Sequence, residues 1–120
     1  MSSTIFSDAL QNPHFDNVQD ITPEQLKGVQ NEVAIIDVRE DHEWTGELGH
    51  INTAQLIKLS TIPENVAKIP KDKTVVMVCR SGGRSAQATA YLKQQGYENI
   101  YNMRGGMIQW NQLGLPVSQD

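Results

Sequence analysis

Two apolar runs organise the chain, Val33-Ala34-Ile35-Ile36-Asp37-Val38, which Asp37 breaks near its end, and Thr74-Val75-Val76-Met77-Val78-Cys79. Both are rich in β-branched residues and neither alternates with polar ones. Such runs predict strands covered on both faces, as in a parallel sheet. Weaker strand patterns occupy 18–20, 55–59 and 99–102. Helical signals fall between them. Thr22-Pro23-Glu24-Gln25 reads as a helix start, with Thr22 as N-cap, Pro23 in the first turn and Gln25 reaching back in a capping box. Gly28 is expected to stop that helix. One helical turn is predicted over 40–45 and closed by Gly46, and a short helix over 63–68 ending before Pro70. A longer helix follows over 86–95, with Ser85, Ala88, Tyr91 and Leu92 on one face and Gly96 as its C-terminal cap. A last helix covers 107–113 after the Gly105-Gly106 turn. Strands alternate with helices, which predicts an α/β sandwich around a mainly parallel sheet. Residues 1–17 are polar and aperiodic and read as a loosely attached arm, leaving 18–120 as the domain.

The length of 120 residues fits one domain with one modest core. No apolar run approaches the roughly 18 residues of a membrane span. Residues 1–16 show neither a basic start nor an apolar segment, so no secretory signal is expected. The one cysteine, Cys79, cannot form an internal disulfide, and a lone thiol suits the cytoplasm. Three scattered histidines (His14, His42, His50) and one cysteine offer no metal-ligand pattern, and no cofactor is called for. The net charge of −4 is unevenly spread. Residues 1–66 carry three basic and eleven acidic side chains, residues 67–120 seven basic and three acidic. An acidic whole argues against a nucleic-acid partner. A basic second half around the only thiol suits a small anion.

The chemistry concentrates where the second strong strand ends. Cys79 is its last residue, and Arg80-Ser81-Gly82-Gly83-Arg84-Ser85 leads into the long helix. Ligands of open α/β sheets sit beyond the carboxyl ends of the strands. Two glycines permit a tight curl whose N–H groups point inward, and the helix adds its N-terminal donors. Arg80 and Arg84 contribute positive charge. Together these favour a thiolate nucleophile facing an anion pocket. A buried, inert cysteine beside a generic turn is the alternative. No Gly-Lys-Ser/Thr follows, so the loop is not a Walker-type phosphate site.

Cys79-Arg80-Ser81-Gly82-Gly83-Arg84-Ser85 resembles the active-site loop of rhodanese-like sulfurtransferases. Ile36-Asp37-Val38-Arg39-Glu40 with Glu43 and Trp44, then Gly49-His50-Ile51 with Ala54, resemble two upstream signatures of that family. Gly105-Gly106 with Trp110 resembles its C-terminal one. The matches run in family order across about residues 20–117. The resemblance implies a rhodanese-like three-layer α/β/α sandwich with a central, mainly parallel sheet. It also implies sulfane-sulfur transfer from a donor such as thiosulfate to a thiophilic acceptor, cyanide or a cellular thiol, through a Cys79 persulfide. By position, Cys79 is the nucleophile and the amides of Arg80, Ser81, Gly82, Gly83, Arg84 and Ser85 cradle the persulfide. Arg84 is the first candidate to meet an anionic donor and Arg80 the second. The family pattern after Gly-His-Ile is altered here, with Asn52-Thr53 before Ala54 and Lys58 after Ile57.

Several readings share this loop. The chain can be a catalyst, a persulfide carrier loaded by a protein partner, or a catalytically silent module, against which the intact cysteine argues. A phosphatase or arsenate reductase is disfavoured by loop length: cysteine phosphatases carry arginine six positions after the cysteine, where this chain has Ser85. A monomer is compatible with all of these. Among the remaining polar residues, Arg39 and Glu43 are expected to form an ion pair within a network that includes Asp37 and Glu40. His50 is read as structural, and Trp44 and Trp110 as packing residues.

Overall fold

The β-branched runs form the middle of the sheet. In the computed structural model, which describes residues 5–120, β3 (Ala34–Asp37), β5 (Val75–Val78) and β6 (Ile100–Met103) lie side by side in parallel. They are flanked by β1 (Leu10–Gln11) and β2 (Gln19–Ile21) on one side and β4 (Ala54–Leu56) on the other. The order across the sheet is β1-β2-β6-β5-β3-β4, and of the strand pairs among the described residues only β1–β2 is antiparallel. The mainly parallel sheet expected from the sequence is what the chain builds.

Alternation along each strand divides the core in two. Ile35, Val76, Val78, Tyr101 and Met103 project to one face, where they pack with Leu26, Met107 and Trp110 of the helices α1 (Pro23–Val29) and α4 (Gly106–Gln112). Ile36, Val75, Met77 and Ile100 project to the other, against Ala88 and Leu92 of α3 (Gly83–Gln94) and Ile62 between the 3₁₀ turns Leu59–Thr61 and Pro63–Lys68. This is the expected three-layer sandwich. Cys79 joins the second cluster, on the α3 side of the sheet.

Local signals behave as the residue chemistry requires, with two exceptions. Thr22 and Gln25 make the capping box in full. Gly28 does not end α1, which continues to Val29; the glycine has no positive φ and sits on an open surface. Of the arm expected over residues 1–17, residues 1–4 lie outside the described residues, and 5–17 are not loosely attached. Phe6 is buried in the core and stacks edge-on to Tyr101, Leu10–Gln11 adds an edge strand, and Asn12 is buried against Asp20. Among the described residues no helix is long and apolar enough to cross a membrane.

Candidate active site

Cys79 follows the last residue of β5, and its side chain is buried, with 1% exposure. The chain then turns through Gly82, whose φ of +103° makes it the left-handed N-cap of α3. The curl brings the Gly82 amide to 3.1 Å from Cys79 Sγ, and the Ser85 hydroxyl lies 3.3 Å away. Among the described residues, the amides of Ser81, Gly83, Arg84 and Ser85 have no acceptor. They belong to the loop and the first turn of α3, where N–H groups are left free for an anion. The loop expected from Cys79 to Ser85 is therefore one structural unit around the sulfur.

The Gly105-Gly106 turn holds this unit from behind. The amides of Met107 and Ile108 at the start of α4 donate to the carbonyls of Cys79 and Arg80, at 2.8 and 3.0 Å. Gly106 has φ +57°, and a Cβ on it would lie 2.4 Å from the Arg80 carbonyl oxygen and 2.5 Å from that of Cys79. The double glycine is thus a close-approach point of two backbones.

The arginines are arranged differently from expectation. Arg84 makes a two-pronged ion pair with Glu43, with both N–O distances 2.8 Å. Its two terminal nitrogens are committed to a carboxylate, so it is not a free cation for a donor. Arg39 does not pair with Glu43. It is buried and holds Asp37 through Nε and Nη2, while Nη2 also donates to the Gly49 carbonyl at 2.7 Å. The side chains pair this way because both residues of the Asp37–Arg39 pair lie at the end of β3, whereas Glu43 faces outward from the single turn α2 (Asp41–Trp44) toward α3. Arg80 is exposed and has no ion-pair partner among the described residues. It lines a shallow polar cleft with Arg39, His42 and Glu43.

The Arg84 guanidinium holds the Glu43 carboxyl down at about 2, from an ordinary value of 4.5. Because the folded value is depressed, the pair stabilises the protein fully above about pH 4.5 and the contribution is lost as pH falls toward 2. Glu43→Gln should therefore lower the denaturation midpoint above pH 4.5, and the difference from the parent should vanish as pH approaches 2. A difference that persists undiminished at the acid end would show that Glu43 acts through packing.

His50 stacks flat on Trp44, with ring centroids 3.6 Å apart, and its Nδ1 lies 2.8 Å from the Trp44 carbonyl oxygen. Trp110 is fully buried and donates to the Pro116 carbonyl. These are structural contacts. Sequence reasoning missed Asn102 and Asp20, both buried, which stand behind Ser85. A polar pair in buried strands was the available signal.

Residues 22–113 match the rhodanese-like domain family. The chain belongs to that family. It is 45% identical over 86 residues to a sulfurtransferase of Allochromatium vinosum, covering 72% of this chain and 78% of the relative. A thiosulfate sulfurtransferase, GlpE, of Pseudomonas paraeruginosa is 31% identical, over 82% of this chain and 88% of its own. A rhodanese-related protein of Thermoplasma volcanium superposes with a TM-score of 0.78 at 31% identity, covering 84% of this chain and 98% of that one. Some other relatives are longer proteins, of which this rhodanese-like chain spans 24%.

Proposed function

We propose that the protein is a thiosulfate sulfurtransferase working through a Cys79 persulfide. The observation that carries the reading is the cradle: one buried sulfur, met by the Gly82 amide, beside four loop amides that have no acceptor among the described residues. The Cys79 thiolate attacks the outer sulfur of thiosulfate. A new S–S bond forms, the old one breaks, and its electron pair leaves with sulfite. The terminal sulfur now carries the charge, and the free amides are the preorganised donors for it. In the second half-reaction cyanide or a thiol attacks the terminal sulfur and the Cys79 thiolate leaves.

The loop length supports sulfur over phosphate, since the sixth position after Cys79 holds a hydroxyl where phosphatases place a guanidinium. The test is steady-state turnover of thiosulfate and cyanide, read as thiocyanate and sulfite formed in equal amounts. Parallel double-reciprocal lines are expected for the two-step exchange. Absence of turnover with thiosulfate, together with loading from a protein persulfide donor, would make the chain a carrier instead. That second reading draws on the chain's match to about a quarter of longer relatives.

Arg80 is the donor-facing cation in this reading, because Arg84 is occupied by Glu43. Arg80→Ala should raise KM for thiosulfate more than for a singly charged donor. A contact of this type at an exposed rim corresponds to roughly two- to tenfold, at about 0.5–1.5 kcal/mol. Equal changes for both donors would remove Arg80 from donor binding.

A further inference from the structure

Ser85 has one hydroxyl proton and two neighbours that can take it. Its Oγ lies 3.3 Å from Cys79 Sγ and 2.5 Å from Asn102 Oδ1. Which of them receives the proton depends on how the Asn102 amide is turned, and a chain of hydrogen bonds settles that orientation.

Asn102 in β6 stands in register with Asp20 in β2. Asp20 is surrounded by donors. Arg104 Nε reaches it at 3.0 Å, and the Asn12 and Asn102 amide nitrogens reach it at 3.0 Å. Asn12 is itself pinned, because its Oδ1 accepts from the amides of His14 and Phe15. A carboxylate accepts and does not donate, so the Asn102 NH₂ must face Asp20 and its oxygen must face Ser85. All three members, Ser85, Asn102 and Asp20, are at most 2% exposed, so no outside group substitutes freely.

The consequence depends on the state of the sulfur. With a neutral thiol every group is satisfied: S–H donates to Ser85 Oγ, and Ser85 donates to Asn102. With a thiolate, two acceptors compete for one proton. With a persulfide, Sγ is an uncharged bridging atom, and the Ser85 proton returns to Asn102. The conflict exists only in the unloaded, nucleophilic state, and loading with sulfur relieves it.

We propose that Asn102, held in one amide orientation by Asp20, is a positioning residue that withholds the Ser85 hydroxyl from the Cys79 thiolate and so leaves the sulfur's lone pairs free for attack. The proposal rests on the Cys79 reading above. It adds residues 12, 14, 15 and 20, which lie outside the 22–113 family match, to the machinery that tunes the sulfur.

The other charged groups near the loop are Arg80 and Arg84 within it, Asp37 and Arg39 at the end of β3, Glu43 of α2, and Asp20 and Arg104 behind Asn102. Ser85→Ala touches none of them, and Asn102→Ala takes one donor from Asp20, which keeps those from Asn12 and Arg104, so the double variant separates any effect through Asp20 from the effect through the hydroxyl.

The experiment is the ultraviolet absorbance of the thiolate against pH. Cys79 is the chain's one cysteine, so the signal is assignable, with Cys79→Ser as the blank. Asn102→Ala frees the hydroxyl for the sulfur and should move the thiolate midpoint down by about one to two pH units, the size of a hydrogen bond to a charged acceptor. Ser85→Ala alone should leave the midpoint nearly unchanged, and Asn102→Ala in that background should add nothing. An Asn102→Ala midpoint that stays, rises, or falls equally without Ser85 would overturn the proposal. If Asn102→Ala does not fold, Ser85→Ala decides: a rise of about one pH unit or more would mean that the hydroxyl already serves the thiolate. No sulfur donor enters this titration. Failure of the protein to load sulfur would therefore end the transferase reading and leave the titration result standing.

Discussion

Cys79→Ser should abolish sulfur transfer while the domain stays folded. The chain has no other cysteine, so no other side chain can hold a persulfide. Serine is slightly smaller than cysteine, and its hydroxyl would meet the Gly82 amide as an acceptor and Ser85 as a partner. The buried site therefore offers the new oxygen hydrogen bonds, and stability should change by less than about 1.5 kcal/mol. Activity should fall to the uncatalysed rate, because serine lacks the redox chemistry of the S–S exchange. The check is turnover beside a denaturation curve. Activity above background in a folded Cys79→Ser protein would remove the persulfide from the mechanism. Loss of both activity and fold would show that the thiol is chiefly a core residue of the α3 face.

Gly106→Ala should be the most damaging single methyl group that can be added near the site. The new Cβ would sit 2.4 and 2.5 Å from the two carbonyl oxygens that Met107 and Ile108 clamp. The obstruction is backbone on backbone, so no side chain can swing away. The φ of +57° adds the left-handed penalty of roughly 1–2 kcal/mol for a residue with a Cβ. Overpacking contributes about 1–3 kcal/mol more. A loss of about 2–5 kcal/mol is expected, accompanied by a drop in sulfur transfer, because the Cys79–Arg80 carbonyls can no longer sit on the α4 amides. The measurement is chemical denaturation. A change below about 0.5 kcal/mol would mean that the two backbones separate at no cost and that the turn does not hold the loop.

The residues that were legible in the sequence share a local cause. Val75–Val78 and Ala34–Ile36 announce themselves because a strand covered on both faces is apolar at successive positions, and Asp37 enters β3 only where Arg39 pairs with it. Thr22 and Gln25 announce α1 because a capping box is closed within four residues. Cys79 to Ser85 stand out because a strand, a tight curl and a helix start are contiguous. What stayed hidden depends on partners far apart in the chain. Glu43 meets Arg84 across 41 positions, and the sequence offered Arg39 as a nearer partner. Asn102 meets Asp20 across 82 positions, through strand register that no periodicity encodes. The strand Leu10–Gln11 is two exposed residues at a sheet edge, too short and too polar for any alternation to appear.

Intact-protein mass shows whether Cys79 takes one sulfur atom from thiosulfate, as proposed. The reduced protein is incubated with thiosulfate, freed of small molecules and weighed, with Cys79→Ser treated in parallel. The expected result is a gain of one sulfur atom per chain, sulfite released in equal amount, no gain in Cys79→Ser, and return to the starting mass with cyanide. An unchanged mass together with no sulfite, or the same gain in Cys79→Ser, would contradict it.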